Sequence, residues 1–135
     1  MPELDIQISV EEGGWPDEET LFALSEKVLQ AAANFLSEEE KQPFPPLPVE
    51  ISLVFTDDES IRQINAEWRQ KDKPTNVLSF PAYPLEPGGK PGPMLGDIVI
   101  ARETVAREAV DLDKDFDDHL THLMVHGFLH LFGYD

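Results

Sequence analysis

The stretch His122-Leu123-Met124-Val125-His126-Gly127-Phe128-Leu129-His130-Leu131-Phe132-Gly133-Tyr134-Asp135 closes the chain and carries three of its four histidines. At about 100° per residue on a helix, His119, His122, His126 and His130 fall within a narrow arc, with Met124, Val125, Phe128, Leu131 and Phe132 on the opposite side. One face buries and the other presents imidazoles. The pattern predicts a helix from about Phe116 to Phe132. Gly133 can end it, because without a Cβ it adopts a left-handed conformation and turns the chain back.

Upstream of this helix, Arg102 to Val110 predicts a shorter one, and Leu95 to Ala101, rich in Ile and Val, predicts a strand. Thr75 to Phe80 predicts another strand. Between the two strands, Pro84 to Pro93 holds four prolines and three glycines, the composition of a mobile loop. Asp58 to about Arg69 reads as a helix capped by Thr56 or Asp57, with Ile61, Ile64 and Trp68 as its apolar stripe. Val49 to Phe55 is a strand, entered from the proline-rich connector Pro43 to Pro48. Asp17 to Leu36 places Leu21, Leu24, Val28, Leu29, Ala32 and Phe35 at helical spacing, with Asp17, Glu18 and Glu19 at its positive end. Leu4 to Val10 alternates apolar and polar residues as a half-buried strand does, and Gly13 and Gly14 end it. The order is βαβαββαα, without repeats.

A length of 135 residues fits one domain spanning 1–135, and 41% hydrophobic residues supply a modest core. With no cysteine, thiolate metal sites, cysteine nucleophiles and disulfides are excluded, so any metal ligand is His or a carboxylate. No signal peptide or run of about 18 apolar residues is visible, and the expectation is a cytoplasmic protein with no membrane partner. The net charge of −17 argues against general nucleic-acid binding. However, Arg62, Arg69, Lys71 and Lys73 cluster in one short stretch, and a local patch can hold a few phosphates.

His126 and His130, at i and i+4, can converge on one ion at about 2.0–2.1 Å from each nitrogen. A lone pair of this kind more often marks a solvated stripe or satisfied core histidines. The glycine three residues later sharpens the reading, because His-x-x-x-His-x-x-Gly-x-x is the spacing that brings in a third histidine after the glycine turn. In sites that hydrolyse peptides with a Glu following the first His, that Glu is the general base. Gly127 stands there instead, which disfavours peptide hydrolysis.

Three stretches carry a closer resemblance: Ile64-Asn65-Ala66-Glu67-Trp68-Arg69-Gln70-Lys71-Asp72-Lys73-Pro74-Thr75-Asn76-Val77-Leu78-Ser79-Phe80-Pro81, then Leu95-Gly96-Asp97-Ile98-Val99-Ile100, then His122 through Asp135. In order and spacing they resemble the YbeY family of metal-dependent endoribonucleases, over a span from about Leu4 to the end. The resemblance implies a zincin-like α+β fold, a small mixed four-stranded sheet packed with helices. It also implies cleavage of single-stranded RNA in the maturation of the 16S rRNA 3′ end and in ribosome quality control. The implied partners are ribosomal RNA, the ribosome and ribosomal proteins.

By the same resemblance His126 and His130 are metal ligands, usually for Zn2+, and Arg69 is the arginine essential for activity. A guanidinium suits that role, since it can grip a phosphodiester bidentately. His122 is one turn before His126 and is assigned to a hydrogen bond behind the ligands or to an RNA contact, with a structural role equally open; Lys71 and Lys73 are assigned to RNA phosphates, and His119 to solvent. The third histidine is expected immediately after Asp135, followed by a terminal helix, so the catalytic domain is read as lacking its C-terminal end. Weak metal binding is the corresponding expectation, with Asp135 or the terminal carboxylate as a substitute oxygen ligand. The family usually has Asp where Asn76 stands. Two alternatives remain open: a ribosome-associated binding factor with a structural metal, and a zincin-like hydrolase of another substrate.

Overall fold

Alternating apolar side chains in β1 (Leu4–Val10) and β2 (Val49–Thr56) bury one face of each strand, as the period of two requires. Between them runs the helix α1 (Glu18–Glu39), and the two strands pair in parallel. A second crossover through α2 (Asp58–Arg69) precedes the hairpin of β3 (Val77–Pro81) and β4 (Met94–Ala101). The helices α3 (Arg102–Asp111) and α4 (Phe116–Leu131) follow. This computed structural model describes residues 2–11 and 14–134; Gly13, expected with Gly14 to end β1, lies outside the described residues.

The sheet order is β1-β2-β4-β3, parallel except for the antiparallel outer strand β3. The result is the expected α+β fold with a mixed four-stranded sheet and the order βαβαββαα. β4 is an interior strand with an apolar cluster on either face, which is why it reads as a nearly continuous apolar run. The larger core joins Leu29, Ile51, Phe55, Ile98, Met124 and Phe128 between the sheet, α1 and α4. A smaller one joins Ile61, Leu78, Val99 and Ala101 under α2. No described helix is long and apolar enough to cross a membrane.

Several expectations change in detail. Asp57, and not Thr56, caps α2: its carboxylate accepts from the Ser60 N–H at 2.8 Å. Only Ile61 and Asn65 of α2 are buried, so Trp68 leaves the predicted stripe and stands 67% exposed. Phe35 likewise lies 54% exposed, while Ala33 and Leu36 take the buried positions of that turn. β3 begins at Val77 and not at Thr75. The connector expected to be a mobile loop is fastened: buried Gln42 donates to the Gly89 carbonyl at 2.7 Å and accepts from the Gly88 N–H and the Tyr134 hydroxyl.

The Gly133 turn behaves as its composition predicts. Its φ of 89° lies in the left-handed region, and Gly133 and Tyr134 donate back to the carbonyls of His130 and Leu129. A Cβ there would lie 2.1 Å from the Leu85 carbonyl oxygen, so both conformation and packing require glycine.

Candidate functional site

β3 is an edge strand, and the side of it that lacks a strand partner borders a cleft of about 480 Å³ whose opposite wall is α4. The two walls touch at Gly127. A Cβ on that residue would meet Ser79 Oγ at 3.1 Å and Ile98 Cγ2 at 3.2 Å, so glycine lets the helix lie against the strand. Ser79 Oγ donates to the Gly127 carbonyl at 3.2 Å and fastens the contact. The residue that stands where a general-base glutamate would be thus has a packing role.

This contact sets His126 and His130 at the cleft. Both are exposed, and their rings meet edge to face with centroids 4.6 Å apart. The two Nε2 atoms are 3.1 Å apart. That spacing suits two donors sharing one ion with bonds of about 2.0–2.1 Å. Partial desolvation against the cleft wall, followed by the charges of His130 and His122, holds the His126 imidazole below its ordinary pKa, which favours the neutral, metal-binding form. Among the described residues no third His, Asp or Glu joins the pair in a metal-holding group, and Asp135 lies outside the described residues. The residues present therefore fit part of a zinc site.

Arg69 lines the same cleft from the end of α2, where Gln70, at φ 59°, terminates the helix. One of its Nη2 hydrogens is donated to the Ser79 carbonyl at 2.8 Å, and its guanidinium carbon lies 5.2 Å from the centre of the Phe80 ring. His122 also lines the cleft and is exposed.

The basic cluster divides. Arg62 is bound to Glu59 and Asp72, and its hydrogen bonds, followed by that of Gln63, hold the Glu59 carboxyl down to about 2, so this arginine is not open to phosphate. Lys71 and Lys73 are exposed on the connector after α2, outside the cleft lining.

His119 corrects the expectation of a solvated residue. It is 4% exposed, and its Nε2 lies 2.9 Å from Glu108 Oε1. The same oxygen accepts from Asn76 Nδ2 at 2.9 Å, while Asn76 Oδ1 accepts from the Val77 N–H at 2.7 Å. An ionised Asp in place of Asn76 could not donate to Glu108. No spacing in the sequence announces this triad, since its members come from three separate elements.

Comparison with known proteins agrees with this arrangement. The family model described as "Endoribonuclease YbeY" matches residues 7–135. Curated proteins of that name are similar throughout: one from Agrobacterium fabrum is 76% identical over 100% of this chain and 80% of its own length. Another from Rhizobium etli is 72% identical over 100% of this chain and 79% of its own. The solution structure of TM1509 from Thermotoga maritima shares the fold, with a TM-score of 0.60 at 24% identity, over 97% of this chain and 74% of that one. With a matching family model across nearly its whole length and relatives at this identity, the chain belongs to the endoribonuclease YbeY family.

Proposed function

We propose that this protein is a metal-dependent, single-strand-specific endoribonuclease that matures the 3′ end of 16S rRNA and serves ribosome quality control. The observation that carries the reading is the convergence of His126, His130 and Arg69 on one open cleft. The relatives named above are endoribonucleases, which supports RNA as the substrate.

His126 and His130 would hold a zinc ion, with a third donor from the residues that follow the Gly133 turn. When bound, such an ion polarises a phosphate oxygen and lowers the pKa of its water toward about 7. Arg69 spends one N–H on Ser79 and retains further donors in a fixed fork for the phosphodiester oxygens. Anchored in this way, it loses little freedom when charge builds on the phosphate, the condition for electrostatic stabilisation of the transition state. His122 contacts RNA from the same wall, and Lys71 and Lys73 offer phosphate contacts outside it, a local counter to the overall negative charge.

The open cleft favours an enzyme over a binding factor, whose structural metal would sit in a closed site. Cleavage of a single-stranded RNA by full-length protein tests the reading, with chelator and with His126→Ala and Arg69→Ala. Loss of cleavage in all three is expected. Mutants that cut as fast as wild type would point to a contaminating nuclease instead.

A further inference from the structure

The outer edge of β3 is nearly, but not wholly, closed. Ala101 N–H donates to the Asn76 carbonyl and Ala82 N–H to the Leu95 carbonyl, so Asn76, Leu78, Phe80 and Ala82 turn their backbone groups toward β4. By the two-residue period, Val77, Ser79 and Pro81 turn theirs toward the cleft. Asn76 occupies the Val77 N–H, Arg69 occupies the Ser79 carbonyl, and Pro81 has no N–H. The Val77 carbonyl and the Ser79 N–H remain, pointing the same way, and neither has a hydrogen-bond partner among the described residues.

On the reading that the cleft cuts RNA, we propose that the Val77 carbonyl and Ser79 N–H form a base-binding subsite that receives the Watson–Crick edge of one unpaired nucleobase beside the scissile phosphate. Each base carries a neighbouring donor and acceptor on that edge: N6–H and N1 in adenine, N4–H and N3 in cytosine, N1–H and O6 in guanine, N3–H and O4 in uracil. One carbonyl and one N–H two residues apart on a strand complement any of them. The subsite is therefore tolerant of sequence, yet it excludes a paired base, whose edge is already occupied.

Position favours this occupant, because Ser79 is held to Gly127, the neighbour of His126, and its carbonyl holds Arg69. An extended peptide fits less well. Adding a strand needs a continuing row of donors and acceptors, and Asn76, Arg69 and Pro81 interrupt that row on both sides of the open pair.

The test uses full-length metal-loaded protein and three oligouridylates: unmodified, 5-methyluridine, and N3-methyluridine, in which the methyl replaces the Watson–Crick N–H. Unmodified and 5-methyl RNA should be cut alike, and N3-methyl RNA at least about tenfold more slowly, as expected when a paired group is left unsatisfied. Ser79→Pro removes the N–H from the side facing away from β4, a place where an edge strand tolerates proline. It should lose the discrimination between the two methylated RNAs, whereas Ser79→Ala should keep it. If Ser79→Pro unfolds, the wild-type comparison still decides. Equal cutting of N3-methyl and 5-methyl RNA overturns the subsite alone, and failure to cut any RNA overturns the nuclease reading beneath it. A Ser79 amide NMR signal moved by an extended peptide and not by oligouridylate would assign the edge to a peptide and refute the base subsite.

Discussion

His119 and His126 stand two turns apart on α4 and meet opposite surroundings. The first is sealed against α3, with Glu108 on Nε2 and its Nδ1 buried without a partner among the described residues. The second lies open in the cleft, its Nε2 facing a second imidazole nitrogen and no carboxylate among the described residues. Residue type and helix are shared, so the neighbouring elements decide the role. A carboxylate and burial make a histidine a structural tie, whereas a second imidazole and solvent leave it a ligand.

The largest test of that contrast is His126→Ala beside His119→Ala. His126→Ala should reduce RNA cleavage at least about a hundredfold, because several kcal/mol of metal assistance are lost, with little change in melting temperature for an exposed side chain. Retained cleavage would remove the metal pair from the mechanism. Arg69→Ala should cost roughly 10²- to 10³-fold in turnover, the usual scale for one transition-state donor. Arg69→Lys should recover only part of it, because a lysine cannot both hold Ser79 and fork onto phosphate.

The closed side should respond in the other currency. His119→Ala should lower unfolding free energy by about 2–3 kcal/mol, from the cavity and the lost contact to Glu108, which keeps its Asn76 partner, and should leave zinc affinity near wild type. Denaturant unfolding and metal titration separate the two, and a loss of zinc with unchanged stability would reverse the assignment. A smaller effect, about 1 kcal/mol, is expected for Asn76→Asp, which sets two carboxylates together. Their mutual repulsion raises a folded-state pKa, so the loss should grow as pH rises through the carboxylate range and fade below it.

The smallest expected effect is the titration of His126. Its folded pKa lies below the ordinary 6.5, so the unfolded chain takes up the proton first. Stability from this group is complete above about pH 6.5 and declines as pH falls through and below that value. An imidazole midpoint measured by NMR at or above 6.5 would contradict the environment described for it.

Much of this was legible in the residues. The 3.6- and 2-residue periods located β1, α1, α2 and α4, because side-chain burial repeats locally wherever one face packs, and Ile- and Val-rich composition located β4. They failed at Phe35, Trp68 and His119, where the predicted face extends past the elements that cover it or meets one that the period does not foresee. The Gly133 turn was legible because a single residue's conformational freedom is a local property.

The amino-acid order by itself determined which strands and helices form, that the only metal-binding side chains available are imidazoles and carboxylates, and that two of the imidazoles lie one turn apart. The fold alone decided that β3 lies at the sheet edge against Gly127, 48 residues away, that Arg69 is anchored on that strand, and that Glu108 claims His119. Contacts between distant segments depend on how whole elements pack, and no local period encodes them.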